Sequence, residues 1–203
     1  MKNLTLIFFI FSLLSYSQNN FTSARSIEIS ENNYEEQLRS SIVKNIELTN
    51  IGPSVMSGRV TDLEVNPNNP TEFYVAYASG GLWHTKNNGT TFSPIMDNSM
   101  TQNIGDFAID WKSNSIYVGT GESNSSRSSY PGIGILKSID NGKSWENIGL
   151  RDTHHISRII INPNDNQHVV VAAIGHLYSA NNQRGIFNSC LLYTSPSPRD
   201  DGV

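Results

Sequence analysis

The feature that most constrains the fold is internal repetition. Asn66-Pro67-Asn68 returns as Asn162-Pro163-Asn164, 96 residues later, and both follow a strand-like run and precede a second one. In the first unit, residues 58–65 alternate into a strand, Asn66 to Pro70 form a dense turn signal, and Phe73 to Ala78 make a second strand. After Ser79-Gly80 comes a third strand at Gly81 to Thr85, then the turn Lys86-Asn87-Asn88-Gly89, then a short fourth strand from Thr90 to Ile95. A second unit runs through Asp106–Asp110, Ser115–Gly119, Gly134–Ser138 and Ser144–Ile148. A third begins with Ile156–Ile161 and His168–Ala173, and Gly175-His176-Leu177-Tyr178 echoes Gly80-Gly81-Leu82-Trp83 as its expected third strand. One unit lies between the two Asn-Pro-Asn turns, so the period is about 48 residues, within the range of four-stranded repeat units.

Four short antiparallel strands at this period predict an all-β fold, a β-propeller of which about two and a half blades are present: 51–98, 99–150 and 151–187. Composition agrees. Asn occurs 24 times and charged residues make up 16%, which suits turns and excludes a helical bundle or a charged disordered chain. A net charge of −4 without a basic stripe argues against nucleic acid as a partner.

The second unit contains Ser138-Ile139-Asp140-Asn141-Gly142-Lys143-Ser144-Trp145, which matches the Asp-box pattern with Ser144 in place of Thr. At this spacing Asp140 can accept N–H groups of its own hairpin, Gly142 can take positive φ, and Trp145 can pack between sheets. The first unit has a degraded copy in which Asn87, Gly89 and Phe92 take the places of Asp140, Gly142 and Trp145.

Residues 1–17 combine Lys2, an apolar run from Leu4 to Leu14 and the small-x-small pattern Ser15-Tyr16-Ser17. That order predicts a signal peptide cleaved near Ser17, with a secreted or periplasmic product. The apolar run is shorter than the roughly 20 residues a span requires, and no later segment is more apolar, so no membrane span is expected. Residues 18–50 read as a lead-in. At the other end, Cys190-Leu191-Leu192-Tyr193-Thr194-Ser195-Pro196-Ser197-Pro198-Arg199-Asp200 resembles the conceptual translation of a sequencing adapter, so 188–203 are set aside as a non-native tail. The lone cysteine lies there, which leaves no disulfide or Cys-ligated metal in the rest.

Taken together, Gly52-Pro53, Ser57 to Asp62, Asn66-Pro67, Gly80 to Trp83, Gly119-Thr120-Gly121-Glu122, the Asp-box and His154-His155-Ile156 resemble a bacterial family of BNR-repeat, sortilin-like propeller proteins, often labelled glycosyl hydrolases. The resemblance covers about 51–187 and implies a longer protein with one or two complete propellers. A part of that size cannot close, and its exposed edges are expected to favour self-association.

Propeller topology puts the Asp-boxes and Asn-Pro-Asn turns at one end and gathers Arg59, Asp62, Asp106, His154, His155, Arg158, His176 and the 122–131 loop at the other. Glu122 is a candidate general acid or base with Asp62 or Asp106 as its partner, since glycoside hydrolysis uses two carboxylates about 5 to 9 Å apart. Its structural alternative is a local pair, for instance with Arg127. Arg59 either clamps an anionic ligand or pairs with Asp62 or a neighbouring blade. Arg127, Tyr130, His155 and His176 complete the candidate ligand-binding set. Adjacent histidines point to opposite sides, so no metal site is expected, and no phosphate-cradling loop or other cofactor motif occurs. Two functions remain open: a secreted propeller binding a peptide, protein or glycan, which the sortilin resemblance implies, and a secreted glycoside hydrolase with some carboxylates outside this sequence.

Overall fold

In a computed structural model of the chain, residues 22–46, 58–125, 129–178 and 181–190 are described. The expected signal peptide lies outside them, as do Arg127 and nearly all of the expected tail. The described residues form one helix and three antiparallel sheets in chain order. Sheet 1 is β1 (Val60–Val65), β2 (Phe73–Tyr77), β3 (Gly81–Thr85) and β4 (Ser93–Pro94). Sheet 2 is β5 (Ile104–Asp110), β6 (Ser115–Thr120), β7 (Ile135–Ser138) and β8 (Glu146–Gly149). Sheet 3 is β9 (Ile156–Asn162), β10 (Asp165–Ala173) and β11 (Gly185–Cys190). Each strand pairs with its neighbour in sequence, so every sheet is a simple meander.

The three sheets follow one plan. Their first strands, β1, β5 and β9, lie in succession. Each carries a bulge at the same place, at Thr61, Gly105 and Ser157, where the pairing skips a residue. Each first hairpin is closed by a side-chain turn of the same form: Asn66, Asp110 and Asn162 accept the N–H two residues on at 2.9, 3.1 and 3.0 Å. Two apolar clusters fill the spaces between sheets. Tyr74, Leu82 and Met96 of sheet 1 meet Phe107, Ile116, Val118 and Leu136 of sheet 2, while Ala108, Tyr117 and Ile135 of sheet 2 meet Ile156, Ile159, Val169 and Val171 of sheet 3.

The third-to-fourth turns of sheets 1 and 2 are built alike. Asp140 Oδ1 accepts the Ser144 N–H at 2.9 Å, its Oδ2 accepts the Ser144 hydroxyl at 2.6 Å, and Ser138 Oγ accepts the Gly142 N–H at 2.8 Å. These donors hold the Asp140 carboxyl down to about 2, the Ser144 hydroxyl contributing most. In sheet 1, Asn87 Oδ1 accepts the Thr91 N–H at 2.9 Å and Thr85 Oγ1 accepts the Gly89 N–H at 3.0 Å. Gly89 and Gly142 have φ of 79° and 83°. Trp145 packs against the first cluster and its indole N–H donates to the Ile95 carbonyl at 3.1 Å, which ties sheet 2 to sheet 1. Phe92 packs edge-on against Phe73 within its own sheet.

Three expectations need correction. First, the chain is not wholly β. Ala24–Ser40 in the lead-in form helix α1, started by Ser23, whose side chain accepts the Ser26 N–H, and braced by the Glu35–Arg39 pair. None of its residues is buried, so local propensity and capping hold it rather than a core. It is anchored by the Ala24 N–H, which donates to Asp152 Oδ1 at 2.7 Å, and by the Arg151–Glu31 pair at 3.2 Å. Second, the third strand of sheet 3 is not at Gly175–Tyr178 but at β11, where Gly185 pairs with Ala173 and Phe187 with Val171. Strand β11 runs on through Asn188, Ser189 and Cys190, which pair with Val170, Val169 and His168. Third, the fourth strand of sheet 1 is shorter than the expected Thr90 to Ile95, spanning Ser93–Pro94.

Candidate functional site

The site lies at the end of the sheets opposite the Asn66, Asp110 and Asn162 turns. Here β1, β5 and β9 begin, β2 and β6 end, and Gly132 reaches sheet 3, where its N–H donates to the His154 carbonyl at 2.6 Å.

Glu122 stands at its centre with a side chain 0% exposed. The Arg59 Nε donates to Glu122 Oε1 at 2.8 Å, and Nη2 donates to the same oxygen. Arg59 is 48% exposed, so the guanidinium bridges a buried carboxylate to the surface. The Glu122 N–H donates to the Tyr130 carbonyl at 3.2 Å, and the His155 Nδ1–H donates to the Glu122 carbonyl at 2.7 Å. Glu122 therefore joins all three sheets, through Arg59 before β1, its own position after β6, and His155 before β9. Its Oε2 is buried and has no hydrogen-bond partner among the described residues. Of the two structural roles open to Arg59, the structure has the cross-sheet one. Tyr130 leaves its side chain exposed beside this group.

A second group lies along the inner strands. Asp62, Asp106 and Arg158 each follow the bulge of their strand and occupy matching positions. Asp106 is 2% exposed. Its Oδ2 accepts the Ile159 N–H at 2.6 Å, and Arg158 lies 3.4 Å from its Oδ1. Burial is the main cause that drives its carboxyl from 3.8 up to about 7. The charge and hydrogen-bonding contact of Asp62 add to this, while the Ile159 N–H and Arg158 oppose it. Among the described residues Asp62 Oδ2 is buried without a hydrogen-bond partner. Beside this oxygen the raised Asp106 carboxyl keeps its proton toward neutral pH, which limits the repulsion between the two groups. Burial and the Asp62 charge push the nearby Glu64 carboxyl up as well.

The histidines form a third group. His154 and His176 stack at 3.9 Å between centroids, and the His176 Nε2–H donates to the Asp152 carbonyl at 3.1 Å. Burial lowers the pKa of His154 and His155, which favours neutral rings. Among the described residues no group of three His, Cys, Asp or Glu is arranged to hold a metal.

The structure thus brings Arg59, Glu122, Tyr130 and His155 together and sets Asp62 and Asp106 against each other. Glu122 is not paired with either aspartate; its carboxylate partner is Arg59. Sequence reasoning did not find the Asp106 bond to the Ile159 N–H, nor Asp152, which receives both the α1 N-terminus and the seat of His176. The signal available for the first was the matching place of Asp62 and Asp106 in their units. Replacing Glu122 with glutamine is expected to cost about 2 kcal/mol in stability, because a charge-assisted pair becomes a neutral hydrogen bond. Denaturant unfolding of the variant checks this, and an unchanged midpoint would show that the pair does not hold the sheets.

No family model matches the chain, and no curated protein matches it. Among solved structures, an ancestral GH74 enzyme is 16% identical at a TM-score of 0.47, over 64% of this chain and 17% of that one. The GH74 xyloglucanase of Xanthomonas campestris is 16% identical at a TM-score of 0.44, over 62% of this chain and 20% of that one. The chain thus spans about a fifth or less of the length of these structures. Among the described residues no helix is long and apolar enough to cross a membrane.

Proposed function

We propose that the protein is an exported binding module of β-propeller type that takes a peptide, protein or glycan ligand at the end of the sheets where Arg59, Tyr130 and His155 meet. The observation that carries this reading is the state of the two best acid/base candidates. Glu122 is sealed by Arg59, and Asp106 is sealed between the Ile159 N–H and Asp62, so both carboxyls serve contacts between sheets. What faces solvent beside them is a half-exposed guanidinium, fixed by its carboxylate, and an exposed phenol. A rigidly held arginine suits a carboxylate or a sugar hydroxyl, and Tyr130 offers an apolar face with a polar tip.

The test is binding to a panel of acidic peptides and oligosaccharides followed by calorimetry. Tyr130→Ala is expected to weaken the ligand found about tenfold with no change in melting temperature, and Arg59→Lys to weaken it further. An unaffected affinity in both variants would remove this face from the interaction.

One observation favours the hydrolase reading: a carboxyl near 7 beside a second carboxyl is the protonation state a general acid uses. Polysaccharide hydrolysis by the wild-type chain, abolished in Asp106→Asn, would establish it in place of the binding role.

A further inference from the structure

The first hairpin of each sheet is closed by the same turn, but the second residue of that turn differs. It is Pro67 in sheet 1, Pro163 in sheet 3 and Trp111 in sheet 2, while the closing N–H comes from Asn68, Asn164 and Lys112 alike. The turn itself does not call for tryptophan. The Trp111 ring is half-buried, lies tilted against Tyr74 at 5.6 Å between centroids, and walls a cavity of about 400 Å³ between sheets 1 and 2. That volume suits a small molecule. All the strands of these two sheets are described, and the cavity is bounded by their own turns at the end opposite Arg59 and Glu122.

The floor is apolar, where Tyr74, Ile109 and Ile116 close over the first core cluster. The sides are polar. Glu72 accepts from Asn66 Nδ2 at 2.8 Å and from the His84 Nε2–H at 3.0 Å, and the His84 ring lies flat on Tyr74 at 4.0 Å between centroids. Burial lowers the pKa of His84, which favours the neutral ring. Around the opening stand the exposed side chains of Lys86, Lys143, Asn114 and Asn141. Among the described residues neither ammonium forms an ion pair and neither of these amides makes a side-chain hydrogen bond. The Tyr74 hydroxyl, on a residue 3% exposed, also has no hydrogen-bond partner among them. Burial, with the Glu72 charge, pushes this phenol up to about 12, so it remains a donor. Two ammoniums against one carboxylate leave the cavity with one positive charge.

We propose that this cavity binds a uronic acid residue of an acidic saccharide. The sugar carboxylate meets Lys86 and Lys143, its hydroxyls meet Asn114, Asn141 and the Tyr74 phenol, and its C–H face rests on the Trp111 ring. A neutral sugar would leave the ammoniums unused, and a small anion would leave the ring and the amides unused. The set therefore selects a ligand that carries both. The cavity lies at the far end of the sheets from the Arg59 and Glu122 site, and its occupancy does not depend on the function proposed for that site.

The probe is methyl glucuronoside, titrated into the full chain and followed by ligand-observed nuclear magnetic resonance. Saturable binding is expected. Methyl glucoside, which keeps the ring without the charge, and acetate, which keeps the charge without the ring, are each expected to bind about tenfold more weakly or worse. Lys143→Gln leaves the Asp140 bonds to Ser138 and Ser144 in place and is expected to weaken the glucuronoside about tenfold without changing the glucoside. Trp111→Pro, which installs the residue of the other two turns, is expected to weaken both sugars, while Tyr130→Ala changes neither. Absence of saturable binding, equal binding of the glucoside or of acetate, or full affinity in Lys143→Gln or Trp111→Pro would each overturn the proposal. The comparison of the three ligands needs no protein variant to fold.

Discussion

Replacing Gly105 with alanine is expected to destabilise the protein by about 3 kcal/mol or more, because the added methyl falls within the contact of sheet 2 with sheet 3. A Cβ at Gly105 would overlap the carbonyl oxygens of Ile156 and Gly121, both backbone atoms that no side-chain rotation can move. The same bulge position is Thr61 in sheet 1 and Ser157 in sheet 3, and there a side chain is not only tolerated but bonded. Thr61 Oγ1 donates to the Ala76 carbonyl at 3.4 Å, and Ser157 Oγ donates to the Ala172 carbonyl at 3.0 Å. Glycine in sheet 2 is therefore required by what lies across from it and not by the bulge itself. Thr61→Ala, which removes one long hydrogen bond, is the matched control and is expected to cost under about 1 kcal/mol. Chemical denaturation of both variants checks the comparison. Equal losses would mean that the bulge, and not the approach of sheet 3, sets the need for glycine.

That contrast also shows where the sequence was legible. Alternating runs bounded by Asn, Pro and Gly located ten of the eleven strands, because the hairpins that join them are local and carry their own turn chemistry: Asn66, Asp110, Asn87 and Asp140 all bond within four residues. The eleventh strand was misplaced because the loop between β10 and β11, residues 174–184, is longer than the 78–80 loop of sheet 1 from which its place was read. Gly175 with φ of 70° starts a turn there, Arg184 Nε bonds back to the Ile174 carbonyl at 3.1 Å, and Asn181 Nδ2 bonds to the His176 carbonyl at 3.1 Å. The resemblance of Gly175-His176-Leu177-Tyr178 to Gly80-Gly81-Leu82-Trp83 is thus one of composition without register. Pairing decides the matter, since Ala173 meets Gly185 as Tyr77 meets Gly81.

The candidate site was legible only as a set of residues. Repeat position placed Arg59, Asp62, Asp106 and His155 at one end of the sheets, but the partners are set by contacts of long sequence separation. Arg59 reaches Glu122 across 63 residues, and Asp106 reaches Ile159 across 53. No local pattern encodes either. Helix α1 was missed for a different reason: its apolar side is thin, with Ile27, Tyr34 and Leu38 among polar residues and none of them buried, and its other signals are Ser23, its glutamates and Arg39.

Asp106→Asn is expected to stabilise the protein at pH 8 by up to about 4 kcal/mol and to leave it nearly unchanged below about pH 4. In the folded chain the Asp106 carboxyl titrates near 7, against 3.8 as the ordinary value, chiefly because burial penalises its charge. The folded state then binds a proton more tightly than the unfolded one. Its contribution to stability is fully present below about pH 4 and is lost as pH rises toward 7, because the unfolded chain releases the proton first. Glu64, raised by burial and by Asp62, acts in the same direction, while Arg158 on the other side of Asp106 lessens the loss. Asparagine keeps an oxygen for the Ile159 N–H and brings a permanent donor for the stranded Asp62 Oδ2, without a charge to desolvate. Arg158, 59% exposed, loses only a long contact and remains hydrated. The measurement is unfolding free energy from pH 4 to pH 8 for both chains. Parallel curves would mean that Asp106 ionises without cost, and the burial penalty on its charge would have to be given up.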